Sequence, residues 1–369
     1  MTATAELDVC LRVDIIFALP LAVATPPAQF SRARRAMIVA IALLLGVNAL
    51  LALVLERGPA HLRDPEYGLR LTALRSKRAE HPRRKLAVVL GSSRTAMGIR
   101  PDVYETAVAE PDGAPLLFNM SMTGAGPILQ LIALRRLLED GIRPDTILLE
   151  FWPALMRGDG PYREDLRLNP ERLRPSDGPL IDAFFSDPEE TRSRMRTSRL
   201  LPLWYHRREF LVGQWPEAVP WKERADGAWA GLDEWGWLPG RISATPDQIA
   251  RGWPHVAEFY EPLFRTYTVS PVADRALREL VTLAHERGIR VLPICLPESA
   301  RFRSMMTPES ICIAEEYREG LTAYVGHPGI DGRTWVGDAE LPDGFHLTRN
   351  GAAIFSRKLA TVLAEKGTE

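Results

Sequence analysis

From Ala36 to Leu55 the chain reads AMIVAIALLLGVNALLALVL, 20 residues with no charge and one polar side chain, Asn48. At about 1.5 Å per residue, a helix of that length spans a hydrocarbon core about 30 Å thick. A helix in the core of a soluble protein normally keeps a polar face, and this one has none. The pattern predicts a transmembrane anchor. Beyond it the period changes. Leu86–Leu90 (LAVVL), Leu116–Met120 (LLFNM), Thr146–Phe151 (TILLEF) and Ile289–Ile294 (IRVLPI) are short apolar runs of the kind found in strands covered on both faces. Helical spacing governs Gly126–Asp140, which Gly141 closes, and Ala273–Arg287, which Gly288 closes. It returns in Asn350–Glu365, where Ile354, Phe355, Leu359, Val362 and Leu363 share one face. Strand alternating with helix predicts a doubly wound parallel α/β sheet.

This gives an organisation of a tail (1–35), an anchor (36–55), a linker with some helix (56–84) and an α/β domain (85–366). The domain is interrupted over 154–272, a stretch rich in Pro and Gly with no long periodic helix. Trp204, Trp215, Trp221, Trp229, Trp235, Trp237 and Trp253 all fall within its span from 204 to 253. An insertion after a strand's carboxyl end lies where α/β folds bind ligands, so it reads as a cap over that edge. Arg32, Arg34 and Arg35 precede the anchor and Glu56 and Arg57 follow it. The positive-inside rule then keeps the tail cytoplasmic and sends the domain across the inner (cytoplasmic) membrane. No A-x-A-like site closes the segment, so an uncleaved signal anchor is expected. Within the tail, the apolar run Ile15–Ala24 is too short to span and contains Pro20.

Composition narrows the chemistry. The charges nearly cancel, 46 Lys+Arg against 47 Asp+Glu, which leaves no basic excess for a nucleic acid. Three cysteines, Cys10, Cys295 and Cys312, cannot build a disulfide framework or a four-Cys zinc site. One Cys295–Cys312 bridge is conceivable outside the cytosol; two unpaired buried thiols are the preferred expectation. The seven His form no ligand-spaced cluster, so neither a metal nor any other cofactor is expected.

Three short motifs carry the candidate chemistry through their combined positions. Gly91-Ser92-Ser93-Arg94 follows the first strand, where a serine would present its hydroxyl at the sheet's carboxyl edge beside backbone N–H groups able to bind an oxyanion. Alone, such a sequence is an ordinary turn and helix cap. Asn119-Met120-Ser121-Met122-Thr123-Gly124 follows the second strand, and Gly124 can bring a bare N–H to a reacting carbonyl. Asp343-Gly344-Phe345-His346-Leu347 precedes the last helix. An Asp three residues before a His can bind its Nδ1, fixing the tautomer and leaving Nε2 to accept a proton from a serine.

This order of motifs, with DGFHLTRNGAAIFSRKLA as its most specific piece, resembles the SGNH (GDSL-type) hydrolase superfamily across residues 85–366. The resemblance implies an SGNH/flavodoxin-like three-layer fold, with Ser93 as nucleophile, His346 as general base and acid, and Asp343 orienting the imidazole. The Ser93 and Gly124 N–H groups would form the oxyanion hole. Two departures stand out. Ser92 replaces the Asp of many members, and Phe151-Trp152-Pro153-Ala154 lies where the family supplies an oxyanion-hole Asn. Asn119 is the nearest substitute, if its amide turns inward. Membrane-anchored branches such as D-alanyl-lipoteichoic-acid transfer and alginate O-acetylation proteins look similar in both respects.

The expected function is therefore an extracytoplasmic serine esterase or O-acyltransferase acting on an acylated envelope carbohydrate. Two alternatives stand: a non-catalytic SGNH-fold protein that binds glycan or a partner membrane acyltransferase, and a lipase or thioesterase. Arg94 could hold an anionic substrate group or merely pair with a carboxylate. The Trp residues could stack on sugars or form the insertion's own core.

Overall fold

The computed structural model describes residues 27–108, 113–157, 162–219, 227–239 and 246–366. The part of the tail before residue 27, including Ile15–Ala24 and Cys10, and Trp221 within the insertion lie outside these residues. The chain divides into two units, one up to Val47 and one from Asn48 onward. The first holds most of the apolar stretch, which is helical within α1 (Pro27–Arg57). Met37, Ile38, Leu43, Leu44 and Leu45 are exposed along it, and the helix is long and apolar enough to cross a membrane.

After the end of α1 and a helical turn at Ala60–Arg63, the second unit continues with α2 (Pro65–Glu80), β1 (Leu86–Leu90), α3 (Ser93–Gly98) and α4 (Pro101–Ala107). β2 (Leu116–Asn119), α5 (Pro127–Glu139) and β3 (Thr146–Glu150) follow. The insertion holds α6 (Pro188–Leu200), α7 (Pro202–Tyr205), α8 (Arg207–Gln214) and α9 (Pro246–Arg265). The chain then returns through α10 (Pro271–Glu286), β4 (Arg290–Cys295), α11 (Pro308–Val325), β5 (Ile330–Asp331) and α12 (Arg349–Lys366). All pairings in the five-stranded sheet are parallel, in the order β2-β1-β3-β4-β5. This is a doubly wound order, and the chain reverses direction between β1 and β3, where such sheets open a crevice.

Alternate residues of β1 enter opposite cores, as the two-residue period of a strand requires. Leu86, Val88 and Leu90 face α2, α5 and α10, while Ala87 and Val89 face α4 and α12. The expected fold is thus present, with four strands at or within a residue of their predicted bounds. The fifth was not foreseen.

Three expectations need correcting. The stretch read as a linker contains α2, whose Tyr67, Leu71 and Leu74 are buried in the main core, so it belongs to the domain. The insertion, read as lacking long helices, contains the 13-residue α6 and the 20-residue α9, the latter running through Pro254 and Pro262. Finally, Cys295 and Cys312 are both free, but only Cys295 is buried. Burial pushes its thiol up to about 12. Cys312 is exposed on α11, with Sγ 3.3 Å from Glu316 Oε1.

Candidate active site

β1 ends at Leu90, and the chain turns through Gly91 into α3. Ser92 caps that helix, its Oγ accepting the Arg94 N–H at 3.2 Å, which leaves Ser93 at the first helical position. A buried carboxylate fixes this turn from below. Glu150, the last residue of β3, accepts the Ser92 N–H at 2.5 Å and the Thr95 hydroxyl at 3.2 Å through Oε2. Its presence signalled itself only as a single acid ending an otherwise apolar strand.

Ser93 Oγ lies 2.8 Å from His346 Nε2, although 253 residues separate them in the chain. His346 Nδ1 is 2.7 Å from Asp343 Oδ2. Asp343 Oδ1 accepts the backbone N–H groups of His346 at 2.8 Å and Phe345 at 3.2 Å, so the acid shapes the turn that carries its partner. Burial works against the Asp343 charge. The charge and hydrogen bond of His346, with the two backbone N–H groups, outweigh it and hold the carboxyl below the usual aspartate range. A charged Asp343 keeps the proton on Nδ1, and Nε2 then accepts from the serine hydroxyl. The side chains of His346 and Asp343 remain 15% and 23% exposed, so the group is reachable from solvent.

The loop carrying Asp343 and His346 rests on aromatic rings. Phe345 stacks on Trp152 with centroids 5.4 Å apart and meets Phe302 and Tyr260 at 5.2 Å. Tyr260 belongs to α9, so the insertion props this loop directly. Gly344 has a φ of +95°, and a Cβ there would come within 3.1 Å of the Trp253 ring and 3.0 Å of Phe302. Only glycine satisfies both constraints.

Of the predicted accessory residues, Gly124 stands in a loop tied to the nucleophile turn, because the Met122 N–H donates to the Gly91 carbonyl at 2.9 Å. Gly124 has a φ of +74°. Neither its N–H nor that of Ser93 is spent on an acceptor among the described residues. Asn119 does not fit its expected role. Its Nδ2 donates to the carbonyls of Thr95 and Ile99, each at 2.9 Å, and its Oδ1 accepts the Ser121 N–H at 3.1 Å. The amide is fully buried and committed to holding α3 against β2, so it does not face Ser93.

Of the two readings open for Arg94, substrate binding is corrected and carboxylate pairing stands: at 1% exposure it has no surface for a substrate. Its Nε donates to the Phe345 carbonyl at 3.2 Å, and Nη2 donates to the carbonyls of Leu296 and Pro297 at 3.1 and 2.9 Å. Its guanidinium packs over Trp152 at 4.4 Å and faces Glu150 at 3.7 Å and Glu298 at 4.0 Å. One cation thereby joins the loops after β1 and β4 to the one carrying His346. Glu298, in the loop after β4, in turn accepts the indole N–H of Trp152, in the loop after β3, at 2.5 Å.

Sequence reasoning also passed over Arg167. It is exposed, its Cδ lies 3.9 Å from where a Gly124 Cβ would stand, and its guanidinium lies 5.9 Å from the Phe259 ring. Among the described residues it forms no ion pair. The Trp residues of the insertion divide by role. Trp253 supports the His346 loop, and Trp237 docks 227–239 on the domain by donating from Nε1 to the Met97 carbonyl at 2.7 Å. Trp204 and Trp215 are 62% and 65% exposed. Among the described residues no three His, Cys, Asp or Glu are grouped to hold a metal ion.

Residues 69–166 match a family described as "Protein of unknown function (DUF1574)". The match takes in Ser93, Gly124 and Arg94 and ends well before Asp343. No curated protein matches the chain.

Proposed function

We propose that the chain is an SGNH-type serine esterase or O-acyltransferase, anchored by α1 with the α/β domain on the extracytoplasmic side, and acting on an acylated envelope carbohydrate. The observation that supports this reading is the continuous Ser93–His346–Asp343 hydrogen-bonded series, with contacts of 2.8 and 2.7 Å, at the switch point of a parallel sheet.

In this reading His346 Nε2 takes the hydroxyl proton as Ser93 Oγ bonds to the ester carbonyl carbon. The Ser93 and Gly124 N–H groups receive the oxyanion. Collapse breaks the bond to the leaving alcohol, which takes the proton from Nε2, and an acyl-serine remains. Water or a carbohydrate hydroxyl, deprotonated by the same His346, then attacks the acyl carbon, and the acyl–Oγ bond breaks as Ser93 Oγ takes the proton back from Nε2. The chemistry needs no cofactor. With Asn119 committed elsewhere, two backbone donors remain, and loss of one donor typically slows such sites by about 10²–10³. A slow deacylation suits an enzyme whose acyl-serine waits for a hydroxyl acceptor, supplied by the glycan itself or through a partner membrane acyltransferase.

The test is labelling by a fluorophosphonate probe. Wild type should label at Ser93 and Ser93→Ala should not, and wild type should release the acyl group from an acylated polysaccharide. A folded protein that neither labels nor releases acyl groups would favour the non-catalytic, glycan-binding alternative. Protease added outside spheroplasts should digest residues beyond Arg57, and protection of the domain would overturn the proposed orientation.

A further inference from the structure

At the junction of α6 and α7 the chain exposes Leu200, Leu201, Leu203 and Trp204, at 74%, 48%, 39% and 62%. Soluble surfaces rarely present so contiguous an apolar run without an occupant. This corner also contacts α1. The Leu203 N–H donates to Asn48 Oδ1 at 3.4 Å, and nearby Arg199 Nε donates to Glu56 Oε1 at 2.8 Å. Asn48, the single polar side chain of the 20-residue apolar span, is only 9% exposed.

These contacts fix a depth. Asn48 precedes Leu55, the end of the apolar span, by seven residues, which is about 10 Å along a helix. Glu56, which pairs with Arg199 and Arg63, marks the level where polar groups resume. If the span sits in a bilayer, Leu203 lies about 10 Å below that level, the depth reached by interfacial apolar segments. A backbone N–H carried into that layer needs an acceptor, and Asn48 supplies one. Arg196 is exposed on the adjoining turn of α6, and Arg207 packs over the Trp204 ring at 4.0 Å, which sets cations beside the apolar corner.

We propose that the Leu200–Trp204 corner is a second membrane-insertion element, seated in the acyl-chain boundary of the leaflet nearest the α/β domain. It rests on the reading of α1 as a membrane anchor. With a second attachment, the domain that carries Ser93 is held at the lipid surface.

The experiment uses the full chain with Cys10, Cys295 and Cys312 replaced by alanine, reconstituted in vesicles of phosphatidylcholine and phosphatidylglycerol. Single cysteines carry the environment-sensitive fluorophore NBD at Leu201→Cys, at Leu45→Cys within the apolar span, and at Leu166→Cys, an exposed site of α/β-domain surface. Trp204→Cys serves as a second reporter if Leu201→Cys does not fold. With nitroxide-labelled acyl chains, position 201 should lose most of its emission, as position 45 does, while position 166 keeps its own. Quenching at 45 with position 201 behaving like 166 overturns the second attachment and leaves the anchor intact. No quenching at 45 removes the anchor reading and this inference with it. Position 201 shielded from aqueous iodide yet untouched by the lipid nitroxide would mean that a second copy of the chain covers the corner, and would overturn the lipid as its occupant.

Discussion

Arg94 Nε donates to the carbonyl oxygen of Phe345 at 3.2 Å, so the residue after the candidate nucleophile holds the backbone just ahead of the candidate base. The Ser93–His346 contact is therefore set by a buried guanidinium that touches neither reacting atom. A sequence can place an arginine beside a serine, but it does not say which way the side chain turns.

Arg94→Met should leave Glu150 and Glu298 buried without their shared cation. A loss on the order of 3–5 kcal/mol is expected in urea unfolding, as for other buried ion pairs deprived of one partner. Arg94→Lys keeps the charge but cannot reach three carbonyls at once. On folded Arg94→Lys protein kcat should fall with KM little changed. A change confined to KM for anionic esters would restore Arg94 to substrate binding.

Asn119→Ala removes a buried donor shared by the carbonyls of Thr95 and Ile99, which should cost about 1–3 kcal/mol in stability. Per folded molecule, fluorophosphonate labelling of Ser93 should keep its wild-type rate. A slowing of about a hundredfold would mean that the amide does reach the oxyanion.

Arg167 stands exposed over Gly124 with no ion pair among the described residues, where an anionic group on the substrate would meet it. Arg167→Gln should raise KM for a negatively charged aryl ester roughly tenfold, after discounting for solvent, and leave a neutral ester unaffected. Equal loss on both esters would assign Arg167 to the fold instead.

Glu164 reaches from the insertion to the start of α5, accepting the N–H groups of Gly126, Ile128 and Leu129 at 2.7 to 2.9 Å. Burial pushes its carboxyl up to about 7, against the pull of those three donors. An acid raised in the folded state holds its proton there after the unfolded chain has lost it. Its contribution to stability is therefore full below about 4.5 and is lost as pH rises to about 7. Glu164→Gln cannot ionise, so its stability relative to wild type should improve from pH 4 to pH 8, by at most about 3 kcal/mol. Denaturant unfolding at both pH values measures this, and parallel profiles for the two proteins would contradict it.

The strands and the spacing of Ser93, Asp343 and His346 were legible because each is written locally. The strands appear as short apolar runs of five or six residues, and the Asp–His pair sits on a single turn of its own making. Helix was expected near α2, but its burial was not legible, because Tyr67, Leu71 and Leu74 stand among charges and Arg70, itself buried, looks like a solvated residue. α9 was obscured by Pro254 and Pro262, which ordinarily break helices, and β5 is two residues long with no run to announce it. Arg94 follows its carboxylate-pairing reading and not the substrate-binding one, and Asn119 was found in the right loop but given the wrong partner, since side-chain direction depends on contacts from 20 to 250 residues away.

The insertion has one more effect, at the rim of the sheet. β2 is an edge strand, and its last N–H, that of Asn119, is taken by the Trp235 carbonyl at 3.1 Å. Gly236 makes this approach possible, for a Cβ there would come 2.1 Å from the Asn119 carbonyl oxygen. The opposite edge, β5, is too short to offer a neighbour a ladder. A bare β2 would be a template for another chain to add a strand. The Trp-rich segment is thus also a guard against sheet-to-sheet aggregation, and deleting it would yield a protein that clumps as it folds.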